Sequence, residues 1–328
     1  MRLKYVLIWP VCLFMFAACF KSKSKEGVQV TLQAITEDAI RKFTDESTLR
    51  MKELLKRNSI AIGSLKGGQL GQFLIEGYNP DHEARIRDIL DEYFREWNFS
   101  AANGTAAVSL KTEAGRIIRN EVMDQTLEVL HSRLNEMGVS HPILERLPGD
   151  KISLEMRSGD DNTDRILGIL TTRGYLEWKL VQAGPSADEA SLLNDFGGQV
   201  PEDMEILRCD PKRMESGYYL VNRVAGVTGR DIRSVHKEKD QWGNPAVGFE
   251  LSADGAQRFS LLTGENIGRQ VAIVLDGLVQ SAPVVQSRIE DRGIISGRFT
   301  ESEVEDLITM LRSGGLPAGV KVLEIKKI

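Results

Sequence analysis

From Val28 to Leu110 the apolar residues run first at strand spacing, then at helix spacing, and keep switching in the order β-α-β-β-α-β. VQVTLQAI (28–35) alternates as a half-buried strand does. Thr36 predicts a cap for a helix to about Leu55, with Ile40, Phe43 and Leu54 on its apolar side. IAIGSL and QFLIEGY flank the glycine-rich turn KGGQLG, a hairpin signal. Pro80 opens a second helix to about Trp97, and AAVSL returns to strand. The pattern then repeats: a long helix over 112–137 ended by Gly138, PILERL and KISLEM around the turn PGD, a short helix in DNTDRILGILTT, and the strand YLEWKLV. Such alternation buries helices on one face of antiparallel sheets. The expected fold class is α+β: a tandem ferredoxin-like (βαββαβ) base with an inserted α+β head domain.

Residues 182–202 break the texture with Gly, Pro, Ser, Ala and acids. Beyond them come short strand-like runs, the helix ADGAQRFSLLTGEN, and RQVAIVLDGLVQSAPVV (269–285), in which Asp276-Gly277 predicts a tight hairpin. Pro283 lacks an amide donor, which places it at a strand end or sheet edge. Helix resumes at Thr300, where TESE reads as a capping box to Glu303, and Gly314 and Gly315 stop it. The chain is therefore expected to divide into 27–111, a first ferredoxin-like unit; 112–183 with 300–328, a base; and 184–299, a head.

The N-terminus has a separate character. MRLK is basic, and YVLIWPVCLFMFAA (5–18) is apolar but short of the ~20 residues that span a membrane, so it fits a signal-peptide core. Phe16-Ala17-Ala18-Cys19 resembles a lipoprotein cleavage box, with Phe16 where Leu is usual; an uncleaved anchor or a plain secretory signal are the other readings. The expectation is a signal peptide over 1–19, Cys19 as the lipid-anchor cysteine, and FKSKSKE (20–26) as a flexible tether. Cys209 is then the one cysteine in the body, so no intramolecular disulfide forms there. A net charge of −5 and 6% aromatic content argue against nucleic acid as a partner.

The stretch VGFELSADGAQRFSLLTGENIGRQVAIVLDGLVQSAPVVQ and its continuation to GGLPAGVKVLE resemble the head and base return of the first periplasmic domain of the SecD family. The match runs through Gly255, Phe259, Asn266, Asp276, Gly277, Ser281, Pro283, Gly297, Arg312, Gly314 and Pro317, and upstream through Arg133, Asn135, Gly138 and Pro142. The family's opening Gly-Leu-Asp-Leu-Arg-Gly-Gly is replaced by KSKSKEGV, where Gly27 alone matches, and the sequence ends at Ile328, before the membrane helices that follow in SecD. The chain is accordingly read as a SecD-type periplasmic domain held by a lipid, without the family's transmembrane helices. The resemblance implies a non-catalytic assistant of Sec-dependent protein translocation in the bacterial cell envelope, facing the periplasm. Its implied partners are emerging preprotein, a SecD–SecF/SecYEG translocon, and the membrane through its acyl anchor. It also implies a head that moves about connectors at Gly184, Pro185, Arg298 and Phe299.

Two readings of the hairpin stand side by side. It is architecture, or Asp276, Gly277, Gln280, Ser281 and Pro283 border a surface for an unfolded polypeptide or partner. A different class of function is an envelope lipoprotein scaffold or sensor that reuses the fold without an export role. Phe20 after Cys19, rather than Asp, resembles an outer-membrane address and weighs toward that reading. No catalytic residue, metal site or cofactor is expected. His82, His131, His141 and His236 have no metal-ligand spacing, Gly-x-Ser-x-Gly is absent, and GGQLG lacks the Lys-Ser/Thr of a phosphate loop. The acidic pair Asp160-Asp161 reads as favouring a helix dipole.

Overall fold

A computed structural model describes residues 27–328 except 103, 158–161 and 216; Cys19, the signal peptide, the tether and Asp160-Asp161 lie outside the described residues. In chain order the elements are β1 (Gly27–Ile35), α1 (Glu37–Arg57), β2 (Ser64–Gly67), β3 (Gln72–Glu76), α2 (Glu83–Tyr93), β4 (Trp97–Ala102), β5 (Thr105–Leu110), α3 (Thr112–Glu136), β6 (Ile143–Leu147), β7 (Lys151–Arg157) and α4 (Thr163–Thr171). They continue with β8 (Leu176–Ser186), α5 (Glu189–Leu192), β9 (Met204–Cys209), β10 (Tyr218–Asn222), β11 (Val227–Thr228), β12 (Ile232–Lys239), β13 (Pro245–Leu251) and α6 (Ala253–Glu265). The last are β14 (Val271–Leu275), β15 (Leu278–Ser281), β16 (Arg292–Ile295), α7 (Glu301–Ser313) and β17 (Gly319–Lys327).

The base is an antiparallel sheet in the order β17-β1-β7-β6. Alternation in β1 turns Val30, Leu32 and Ala34 inward, against Met123, Leu130 and Leu134 of α3 and Leu167 and Leu170 of α4. Residues 36–111 form a separate layer, the antiparallel sheet β2-β3-β5-β4 under α1 and α2. Its own core includes Phe73, Ile75, Ile86, Leu90 and Val108, and Trp97 lies edge-on to Phe73 at 5.1 Å and stacked on Phe43 at 5.8 Å.

The α+β class with an inserted head holds, but two strands change company. β1 was expected to open the 27–111 unit; it pairs instead with β7 and β17. YLEWKLV was expected to close the 112–183 unit; as β8 it pairs with β14, β10 and β11 of the head, and β17 takes the base position. Alternation states which face of a strand is buried and is silent on which strand lies beside it.

In the head, β8 pairs with β14 along its first half and with β10 along its second, so that β8, β14, β15, β9 and β10 close a ring. Val181, Cys209, Tyr219, Val221, Ala272, Val274 and Val279 share its core. Burial pushes the Cys209 thiol above its ordinary pKa. Closure depends on Gly184: its φ is +117°, and a Cβ there would stand 2.8 Å from the Tyr218 carbonyl oxygen. Beside the ring lies the sheet β12-β13-β16, covered by α6 and α7.

One core runs from base to head. Ile169 of α4 and Val304, Leu307, Ile308 and Leu311 of α7 pack with Trp178, Phe249 and Phe259. Arg133, fully buried, donates from Nη1 to the carbonyls of Ile169 and Thr172 (both 2.5 Å) and from Nη2 to those of Arg173 (2.9 Å) and Gly314 (3.2 Å). It thus satisfies carbonyls at the C-terminal ends of both α4 and α7, groups a helix leaves without partners. Burial lowers its pKa to about 10. The connectors expected to let the head move are Gly184 and Pro185 on one side and Arg298 and Phe299 on the other; Arg298 is exposed. Gly184 and Pro185 lie inside β8, and Phe299 is buried in the shared core beneath the Arg213 guanidinium, 4.4 Å from its ring centroid. Among the described residues no helix is long and apolar enough to cross a membrane.

Candidate functional site

Asp276 and Gly277 join β14 to β15 with φ of +51° and +80°, the left-handed pair that a two-residue hairpin of matching twist requires. The Asp276 carboxylate faces the base: it accepts from the amides of Tyr175 (2.8 Å) and Gly174 (3.1 Å), and its own amide donates to the Tyr175 carbonyl (3.0 Å). Asp276 therefore bolts the hairpin to the turn between α4 and β8. Gln280 is 5% exposed and donates to the Leu278 carbonyl, so it too is interior rather than surface. Pro283 lies just past the end of β15 and is exposed, with its carbonyl accepting from Val271 (3.1 Å). The ladder there uses the group proline has and not the donor it lacks.

Two clefts flank Pro283. The first, about 240 Å³, is floored by Trp178, Phe249 and Phe259, with ring centroids 5.0–6.1 Å apart. Pro283, Val284 and Ile294 form its rim; Val284 is 48% and Ile294 45% exposed, on the terminal strand β16 of its sheet. Gly293 lets the Phe249 ring lie there, since a Cβ would sit 2.7 Å from Phe249 Cζ. The second cleft, about 340 Å³, lies on the other side, between Ser281, Pro283, Met214, Arg213, Arg298 and Trp242. Trp242 is 74% exposed at the β12–β13 turn. Sequence reasoning missed Trp242, Val284 and Ile294. DQWGN held a usable signal, because Asp, Gly and Asn put an aromatic on a turn, where it has little core to enter.

Charge is organised around these clefts. Arg213 donates to both carboxylate oxygens of Glu303 (2.7 and 2.9 Å) and to the Arg298 carbonyl (2.8 Å). Hydrogen bonds from Arg213 lower the Glu303 carboxyl to about 2. The same carboxylate accepts from Thr300 as the expected capping box. On β8, Lys179 is buried between Glu205 (2.6 Å) and Glu177 (3.2 Å), and desolvation raises the Glu177 pKa. Among the described residues no three His, Cys, Asp or Glu side chains come together to hold a metal ion.

A family model for the SecDF P1 head subdomain matches residues 204–318, which carry the hairpin and most of both clefts. The protein translocase subunit SecD of Koribacter versatilis is 29% identical over 311 residues, and that of Aquifex aeolicus 30% identical over 303. The chain is related to SecD. Each SecD alignment covers 92% of the chain, and the chain spans 58% of each relative. A crystal structure of SecDF in a super-membrane-facing form covers 63% of the chain, with 28% identity and a TM-score of 0.50; the chain covers 28% of it. The SecD resemblance read from the 247–324 stretch agrees with the family match over 204–318 and with the similarity to the SecD relatives.

Proposed function

We propose that this protein assists Sec-dependent protein translocation as a SecD-like, non-catalytic module, whose head holds unfolded segments of exported polypeptide. The observation that carries this is the aromatic-floored cleft with exposed Val284 and Ile294 on its rim. An extended chain brings apolar side chains with no core of their own, and burying them there gains roughly 25 cal/mol per Å². The names of the relatives, protein translocase subunit SecD, support the same direction. Cys19 is the proposed acylation site, holding the body to a membrane of the envelope with its soluble part in the periplasm. The proposed partners are emerging preprotein and a SecD–SecF/SecYEG translocon. The connectors at Gly184, Pro185, Arg298 and Phe299 are the proposed points about which the head moves.

The test is site-specific photo-crosslinking in cells from Val284 and Gln286, both exposed; Gln280 is too buried to report. Adducts with several exported precursors or with translocon subunits are expected. Adducts confined to one unrelated envelope protein would replace this function with that of a scaffold or sensor reusing the fold.

A further inference from the structure

In the cleft beside Trp242, polar groups of Arg213 and Ser281 lack partners among the described residues. Arg213 has a side chain only 10% exposed, and its Nε–H is buried without a partner among the described residues. Ser281 Oγ, in the same lining, is likewise buried and unpartnered. The Arg298 guanidinium at the rim is exposed and has no acceptor among the described residues; only its carbonyl is engaged. Asp240, the one carboxylate of the lining, is occupied by its own turn, accepting from the amides of Trp242 and Asn244 (both 2.9 Å) and from Asn244 Nδ2 (3.0 Å). Glu303 balances the charge of Arg213 from outside the cleft lining. A buried donor without an acceptor is costly, and a ligand that supplies one recovers that cost.

Apolar groups surround these donors: the Trp242 ring, Met214, Ala282 and Pro283. Resting on the polypeptide-binding reading above, we infer that this cleft takes an Asp or Glu carboxylate of the bound chain, next to an aromatic or aliphatic residue packed on Trp242 and Pro283. A carboxylate brings two acceptor oxygens and a charge toward Arg298, and charge-assisted bonds are about twice as strong as neutral ones. A main-chain carbonyl brings one oxygen and no charge.

The experiment uses the full chain in detergent and two labelled, unstructured peptides. They are identical except that Glu-Phe pairs in one are Gln-Phe in the other, and binding is read by fluorescence anisotropy. The Glu peptide is expected to bind about tenfold tighter, equivalent to ~1.4 kcal/mol. Arg298→Gln and Ser281→Ala should each bring that ratio toward one, leaving the affinity for the Gln peptide unchanged, and Trp242→Ala should weaken both peptides. Equal binding of the two peptides by the wild type would overturn the carboxylate preference and leave the polypeptide-binding reading standing. A preference that survives both Arg298→Gln and Ser281→Ala would overturn this cleft as its origin. If neither peptide binds, the polypeptide-binding reading fails and takes this inference with it.

Discussion

Replacing Glu303 with glutamine tests how firmly the head is held to α7. Glutamine keeps the shape and can still serve at the third helical position of a capping box, so the substitution isolates the ion pair from the cap. Arg213 is 10% and Glu303 34% exposed, between the surface pairs worth ~0–1 kcal/mol and the buried pairs whose breakage costs ~3–5 kcal/mol. The carboxyl is held at about 2 against an ordinary 4.5, a difference of about 2.5 pH units. At ~1.4 kcal/mol per pH unit that is an upper bound of ~3.5 kcal/mol for Arg213 and the Thr300 cap together, with Arg213 the largest contributor, and solvent screening of a carboxyl a third exposed brings it to roughly 2 kcal/mol. The folded pKa lies below the unfolded one, so this stability is fully present above pH 4.5 and lost as pH falls toward 2. Urea unfolding of wild type and Glu303→Gln should therefore differ by about 2 kcal/mol at pH 7, with the gap narrowing steadily below pH 4.5. A gap that is absent at pH 7, or one that stays constant down to pH 3, would refute the assignment of this energy to the Arg213–Glu303 pair.

Other substitutions probe the joints around it. Asp276→Ala removes the acceptor for two base amides and a side chain that tolerates positive φ better than alanine, and should cost ~2–4 kcal/mol in urea unfolding, with Asp276→Asn losing less than half as much. Arg133→Met strands carbonyls at the C-terminal ends of α4 and α7 and should cost at least ~3 kcal/mol, seen as loss of protease resistance; Arg133→Lys should not restore it, since an ammonium cannot span four acceptors set for a planar fork. Cys19→Ala should release the protein from the membrane fraction, and an unchanged fractionation would contradict the lipid anchor.

The hairpin at 271–281 shows how far residue types reach. Asp-Gly announced positive φ at both turn positions, and the structure has it. The proline after it announced the end of regular pairing, and β15 stops at Ser281. What the turn's carboxylate would hold was not legible, because the amides of Gly174 and Tyr175 are about a hundred residues away in the chain and meet Asp276 only after folding. The clefts were hidden for the same reason. The floor of the first draws Trp178 from β8, Phe249 from β13 and Phe259 from α6, and none of the three is marked locally as neighbouring the others.

Sequence by itself determined the local devices: the capping box of Thr300 and Glu303, the glycine stops at Gly138 and Gly314, the alternation that turns Val30 and Leu32 inward, and the Asp-Gly hairpin. Each acts over a few residues, where hydrogen-bond reach and φ preference are decided by the side chains present. Tertiary structure alone decided that β1 belongs beside β17 rather than with the layer that follows it, that β8 bends into the head, and that α7 unites head and base in one core. Those outcomes rest on which apolar faces meet, a competition among many distant surfaces of similar hydrophobicity, and no short stretch of the chain contains it.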